Sequence, residues 1–191
     1  EVWTDHRSTV ALVDLPGHGV SPLERAVSIE DMADAVADSL RTVSESPVTL
    51  VGLSLGGCIA QAIAVRHAAL VDRLGLVDTT AWYGPDAPAS WEQRASTASE
   101  RGLRSLASFQ VDRWFSTDFA AKVPAEVERL LTVFANTSVQ SYVTACRALG
   151  AVDLRDSVRA INVPTVVVVG SDDPATPPDH ARWLTAAIPG A

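Results

Sequence analysis

Gly52-Leu53-Ser54-Leu55-Gly56 sets a serine between two glycines, where the apolar run Val48-Thr49-Leu50-Val51 gives way to Gly57-Cys58-Ile59-Ala60-Gln61-Ala62-Ile63-Ala64. A strand, a sharp turn and a helix in that order raise a hydroxyl at the carboxyl end of a sheet. They also set helix N-terminal N–H groups beside it. A serine at the apex of such a turn adopts a strained backbone, so the residues two positions away are expected to be small. The chemistry is nucleophilic, with the Leu55 N–H as one donor to a developing oxyanion. The same short pattern also occurs as an ordinary strand-to-helix turn with a capping serine. The strand before and the helix after separate the two readings.

A serine nucleophile needs a base to take its proton and an acid to orient that base. Ser171-Asp172-Asp173-Pro174 leaves the apolar run Pro164-Thr165-Val166-Val167-Val168-Val169-Gly170, so Asp173 would sit at the same sheet edge as Ser54. Asp172 is the runner-up and Asp78 a third choice; any of them also reads as a solvated turn residue. Of the four histidines, His6, His18, His67 and His180, none follows the acid at a useful spacing. His180 reads as a surface residue on a helix, His67 as a helix-terminal residue and His18 as part of a Gly-His-Gly turn. The base is therefore expected beyond residue 191, and the second oxyanion donor before residue 1. A chain that opens Glu1-Val2-Trp3 without an initiator Met is expected to be a piece of a longer one.

The elements that would hold these groups alternate. Ser8 to Asp14 reads as a buried strand, followed by the turn-rich Leu15-Pro16-Gly17-His18-Gly19-Val20-Ser21-Pro22. Ser28-Ile29-Glu30-Asp31 opens a helix through Met32, Val36 and Leu40 that ends before Ser46-Pro47. Arg73 to Asp78 reads as another buried strand, Asp153 to Ile161 as a short helix, Pro164 to Gly170 as the plainest strand and Asp179 to Ile188 as a helix. Alternating strands and helices predict a parallel sheet with helices on both faces. The alternation breaks between residues 81 and 150. That helix-like stretch holds Trp82, Trp91, Trp114, Phe109, Phe115, Phe119, Phe134 and Tyr142, and reads as a cap over the site. The predicted organisation is a core over 1–80 and 151–191 with a helical cap over 81–150.

Composition narrows the partners. Fifteen basic against 23 acidic residues give a net charge of −8 with no basic cluster, which argues against nucleic acid and anionic membranes. No apolar run reaches transmembrane length. The two cysteines, Cys58 and Cys146, form neither a disulfide framework nor a metal spacing, so no metal or cofactor is implied and a cytoplasmic setting is expected.

Three stretches together resemble one family. Asp14-Leu15-Pro16-Gly17-His18-Gly19-Val20-Ser21-Pro22, Gly52-Leu53-Ser54-Leu55-Gly56-Gly57 and Gly170-Ser171-Asp172-Asp173-Pro174-Ala175-Thr176-Pro177-Pro178 are similar to the 3-oxoadipate enol-lactonases. Arg113-Trp114-Phe115, Tyr142-Val143-Thr144-Ala145-Cys146 and Asp153-Leu154-Arg155 add to the likeness. The resemblance implies an α/β-hydrolase fold, Ser54 as nucleophile and Asp173 as acid, since the family's Gly-x-x-Asp-Pro counts from Gly170. It also implies acyl transfer on a carboxylate-bearing lactone of aromatic catabolism. Arginine forks suit such a carboxylate, and Arg113 and Arg94 are the candidates, with Arg101 and Arg147 behind them. Trp114 reads either as a pocket wall or as an anchor of the cap. The rivals are a carboxylesterase, a C–C hydrolase or a haloperoxidase-like enzyme on the same fold. A rival of another class is a non-catalytic protein that binds a small acid.

Overall fold

Ser28 opens the first helix as its sequence predicts. Its hydroxyl accepts from the Asp31 N–H at 3.0 Å, and the Asp31 carboxylate accepts from the Ser28 N–H at 3.1 Å, a reciprocal cap. In the computed structural model, which describes residues 10–23 and 27–191, helix α1 spans Ile29–Val43. It buries Ile29, Met32, Ala33, Val36, Ala37 and Leu40 along one face, the stripe expected at helical spacing.

Strands β1 (Val48–Leu53), β2 (Val71–Val77) and β3 (Thr165–Val168) form a parallel sheet in that order. Helix α2 (Leu55–Arg66) connects β1 to β2 and is buried from Gly57 to Ala64. Its nearly unbroken apolar sequence follows, because the helix lies between the sheet and α1 within one core. Helix α8 (Pro178–Ala187) follows β3 and buries Leu184 in the same core. Leu50, Leu74 and Thr165 form one lateral rung, and Gly52, Leu76 and Val167 the next on that face.

The opposite face differs from expectation. Val51, Leu53, Val166 and Val168 are 63%, 61%, 62% and 50% exposed. Among the described residues the helices therefore cover one face of the sheet rather than two. Apolar residues on both faces of a strand read alike in sequence, whichever face is covered.

Two further expectations are corrected. The strand predicted over Ser8–Asp14 falls partly outside the described residues, and residues 10–14 pair with none of β1–β3. They run past the end of α1, with Leu12 and Val13 facing Thr42 and Val43 across a groove, so no ladder partner is supplied. The helix predicted over Asp153–Ile161 shrinks to a 3-10 turn at Ser157–Ala160. Asp153 is held extended in a bridge with Trp82, which leaves too few residues for an α-helix.

From residue 87 to 151 the described chain is helical, without a strand. Helices α3 (Ala87–Arg101), α4 (Ala107–Trp114), α5 (Thr117–Lys122), α6 (Pro124–Ala135) and α7 (Val139–Ala151) follow one another. Ala95, Ala98, Leu103, Leu106, Phe134, Val143 and Cys146 make a second core of their own. The segment leaves and rejoins the sheet through a narrow neck. Leu154 N–H donates to Ala81 O at 2.9 Å beside the Trp82–Asp153 bridge. Arg155 closes over the neck, 3.8 Å above the Trp82 ring and doubly bonded to the Asp153 carboxylate.

Candidate active site

Ser54 is the single residue between β1 and α2, at φ 51° and ψ −114°. A non-glycine residue there stores on the order of 1–3 kcal/mol of strain. The surrounding bonds hold it in place. The Ser54 N–H donates to Val77 O at 3.0 Å, and its carbonyl accepts from Gly57 N, Cys58 N and the Thr79 hydroxyl at 2.9, 3.1 and 2.8 Å. Its side chain makes no capping bond, so the hydroxyl is not spent on the helix. Leu55 is the first residue of α2, and its N–H has no acceptor within the helix.

The glycine rule holds on one side only. A Cβ at Gly52 would lie 2.2 Å from Gly56 O, so the strand must carry glycine there. A Cβ at Gly56 would meet nothing within 4 Å, whereas one at Gly57 would strike Thr79 at 2.5 Å. Among the described residues, the close packing that needs a glycine after the serine is at Gly57.

Asp173 lies on the loop between β3 and α8, partly buried, while Asp172 is exposed. Asp173 Oδ1 accepts from the N–H groups of Ala175 and Thr176 at 2.6 and 3.0 Å, and Oδ2 from the Thr176 hydroxyl at 2.7 Å. Those bonds fix the carboxylate as an acceptor. Asp78, the third choice, is committed elsewhere: at φ 43° it accepts from the Gly170 N–H at 2.9 Å. That bond and Asp78 N–H to Val168 O at 2.9 Å tie the start of the Asp173 loop to the end of β2.

The histidines divide. His6 lies outside the described residues. His18 bonds to Pro16 O at 3.1 Å inside its own turn, and His67 lies between Asp34 at 2.7 Å and Arg41 at 3.1 Å. His180 is not the surface residue its sequence suggested. It is half-buried, its Nδ1 is buried without a partner, and its ring centroid lies 6.4 Å from that of Tyr83. None of the three described histidines hydrogen-bonds to Ser54 or Asp173.

Tyr83 went unread in the sequence, where it is one aromatic in a loop. In space its phenol lies beside the Ser54 side chain, and its ring meets Trp91 edge-on at 5.3 Å. Burial pushes the phenol well above its ordinary range; Ser54, Arg113 and Arg94 oppose this more weakly. Arg94 is stacked between Trp91 at 4.4 Å and Phe109 at 4.7 Å, and Arg113 lies 5.4 Å from the same Phe109 ring. Burial pulls the Arg113 guanidinium below its ordinary range, the charge of Arg94 adds to this, and Tyr83 and Asp173 counter it. Among the described residues neither Arg94 nor Arg113 forms an ion pair with a carboxylate.

The other candidates sit apart. Arg147 is taken by Glu92 through two bonds of 2.8 Å, and Arg101 is exposed at the end of α3. Trp114 is 46% exposed and packs edge-on against Phe134 at 5.4 Å and Phe115 at 6.3 Å. Cys58 lies buried behind the turn, and burial pushes its thiol up to about 11, far from a working nucleophile. No helix among the described residues is long and apolar enough to cross a membrane.

Known proteins resemble the chain in sequence and fold. The chain is 29% identical over 167 residues to 3-oxoadipate enol-lactonase 1 of Acinetobacter baylyi, covering 87% of this chain and 62% of that protein. It is 34% identical over 192 residues to a pimeloyl-(acyl-carrier protein) methyl ester esterase of Chromobacterium violaceum, covering 97% and 73%. The crystal structure of the enol-lactonase from Burkholderia xenovorans LB400 superposes with a TM-score of 0.88 at 34% identity, over 93% of this chain and 68% of that one. The chain thus spans about two thirds of the length of these proteins. The model of the alpha/beta hydrolase family matches residues 4–191. With a serine raised on the turn between a parallel strand and its helix, the chain belongs to the alpha/beta hydrolase family.

Proposed function

We propose that the protein is a serine hydrolase that opens a small, carboxylate-bearing lactone, with 3-oxoadipate enol-lactone as the substrate. The observation that carries this reading is an uncapped, strained Ser54 in a chain whose Arg94 and Arg113, both stacked on Phe109, form no ion pair with a carboxylate among the described residues. A neutral ester would give two adjacent guanidinium groups no reason to converge there. The likeness to enol-lactonases in sequence and in fold points the same way.

Ser54 Oγ attacks the lactone carbonyl while the Leu55 N–H donates to the oxygen that becomes negative. The ring oxygen leaves as an enol, and water then hydrolyses the acyl-enzyme. Asp173 is the acid that orients the base, held by Ala175 and Thr176. Arg113 and Arg94 hold the substrate carboxylate, and residues 81–150 act as the cap that carries both. Trp114 stands within that cap as its aromatic anchor. Two buried free thiols suit a cytoplasmic setting.

The likeness to a methyl ester esterase supports a second reading, an esterase with the same serine. Spectrophotometric lactone hydrolysis by the intact gene product decides between them. The expectation is turnover abolished by Ser54→Ala, with KM raised on the order of tenfold or more by Arg113→Met, as loss of a charge-assisted bond implies. Hydrolysis of simple esters but not the lactone, with Arg113→Met neutral, supports the esterase. Lactone turnover that survives Ser54→Ala overturns both.

A further inference from the structure

Arginines in this chain are held in two ways. Arg66, Arg129, Arg147 and Arg155 each give two nitrogens to one carboxylate, those of Asp34, Glu126, Glu92 and Asp153, and so spend the donors of the fork. Arg94 and Arg113 are held by aromatic rings instead. Arg94 Cζ lies 4.4 Å from the Trp91 ring centroid and 4.7 Å from that of Phe109, and Arg113 Cζ lies 5.4 Å from the same Phe109 ring. A ring attracts the charge without taking the pair of N–H groups that a carboxylate would take. Trp91 and Arg94 are three residues apart on α3, and Phe109 and Arg113 four apart on α4, spacings that bring each pair to one side of its helix. The inner end of this row is anchored, because Trp91 packs against both hydrophobic cores and meets Tyr83 edge-on at 5.3 Å. Helix α4 is tied to α7 by the buried Gln110, whose Nε2 donates to the Tyr142 hydroxyl at 3.3 Å. Phe109 is the outer end. It is 41% exposed and belongs to neither core, so core packing does not account for a phenylalanine there.

We propose that Phe109 is a positioning residue that sets selectivity for an anionic substrate, its ring holding the Arg94 and Arg113 guanidinium groups in place while their N–H donors stay available to the substrate carboxylate. The inference rests on the reading of Arg94 and Arg113 as the groups that hold that carboxylate. Two neighbouring cations repel, and the charge of Arg94 does bear on Arg113. The negative face of a ring shared by both offsets that repulsion. An acidic side chain would offset it more strongly, but it would occupy the donors that the substrate needs. A free arginine side chain also loses rotamer freedom when it binds, and a side chain already held against a ring has lost that freedom beforehand. Trp91 does this for Arg94 alone, whereas Phe109 is the ring common to both. Arg155 marks the contrast: it lies over Trp82 and also gives its fork to Asp153, so its ring contact is structural. Phe109 therefore acts on binding of the anionic end and leaves the reacting end at Ser54 as it is.

The test compares wild type, Phe109→Leu, Phe109→Tyr, Arg94→Met and Arg113→Met in the intact gene product. Two readouts are taken: steady-state hydrolysis of the enol-lactone, and the rate at which an uncharged fluorophosphonate labels Ser54. Phe109→Leu keeps an apolar side chain and removes the ring, and Phe109→Tyr keeps the ring. The expected result in Phe109→Leu is a KM about tenfold higher, the ordering cost of two released arginines, with kcat and labelling within about twofold of wild type. Phe109→Tyr should restore KM. If Phe109→Leu lowers the melting temperature, pentafluorophenylalanine at position 109 keeps the shape and reverses the charge distribution of the ring. A raised KM in that protein then supports the role, and an unchanged KM overturns it. A KM that rises in Arg113→Met but not in Phe109→Leu overturns the Phe109 assignment alone, as does a Phe109→Leu that slows labelling as much as lactone turnover. A wild-type protein that does not hydrolyse the lactone, or whose KM is indifferent to both Arg94→Met and Arg113→Met, overturns the carboxylate reading and this inference together.

Discussion

Gly52→Ala and Gly56→Ala, symmetrical about the serine in sequence, should move stability in opposite directions. The new methyl at position 52 would lie 2.2 Å from Gly56 O, 2.5 Å from Gly56 C and 2.7 Å from Gly57 N. All three are backbone atoms of the first turn of α2. They cannot swing aside as a side chain does, and the closest overlap is about 1 Å inside normal contact. Relief requires lifting the helix start off the strand, which drags Ser54 from φ 51° and breaks its 3.0 Å bond to Val77 O. A cost of about 3 kcal/mol follows, the upper end of ordinary overpacking. With a urea slope of about 2 kcal/mol per molar, the midpoint should fall by about 1.5 M. A Cβ at Gly56 meets nothing within 4 Å, so there the helix gains the usual Gly-to-Ala advantage of about 0.5–1 kcal/mol. Urea titration of the 191-residue chain, followed by tryptophan fluorescence, measures both. The reasoning is refuted if Gly52→Ala leaves the midpoint within about 0.3 M of wild type, or if Gly56→Ala lowers it as far.

Thr176→Val removes a buried hydroxyl that bonds the Asp173 carboxylate at 2.7 Å. It should cost about 1.5–3 kcal/mol, and Thr176→Ser should recover most of that in the same titration. Asp34 is held at about 2, chiefly by Arg66 and then by His67, against an ordinary 3.8. Its stabilisation is present above that ordinary value and disappears as pH falls toward 2. Because the pair is almost half exposed, the effect is below about 1 kcal/mol, and Asp34→Asn should flatten the acid limb of a stability-versus-pH curve by that much. Burial lowers the His180 imidazole from its ordinary 6.5, so the unfolded chain takes up the proton first. Stability then declines as pH falls below that value, and thermal unfolding of His180→Leu between pH 7 and 5 should show a shallower slope than wild type.

What could be read from the chain alone was local. Ser28 with Asp31 announced α1, and the apolar run into Gly52 announced β1 and its turn, because caps and turns are decided by residues a few positions apart. The burial of faces was not legible. Val166 and Val168 lie in the plainest strand of the sequence and are exposed, since an apolar strand residue does not say whether its face is covered. Ser157–Ala160 reached only a 3-10 turn because Asp153 pairs with Trp82, some seventy residues earlier. Tyr83 and His180 escaped for the same reason. Neither carries a signal until α8 and the stretch after β2 bring their rings to 6.4 Å. Arg94 and Arg113 were singled out only through the carboxylate that the resemblance implied, since an anion favours a fork of donors; their stacking on Trp91 and Phe109 carried no signal in the sequence.

The neck at Ala81–Leu154 has a consequence for how this fold could diversify. The two ends of the helical segment are already joined by the Leu154–Ala81 bond and clasped by Arg155 over Trp82. A replacement segment of different length therefore faces only a small, slowly growing closure cost. Ser54 and the Asp173 loop are tied to β2 by bonds that do not pass through the segment. Exchange of the helices would carry Arg94, Arg113 and Tyr83 away together and leave Ser54 and Asp173 in place. A new surface can thus be tried by recombination at a single junction, while Ser54 and the Asp173 loop stay constant from one trial to the next.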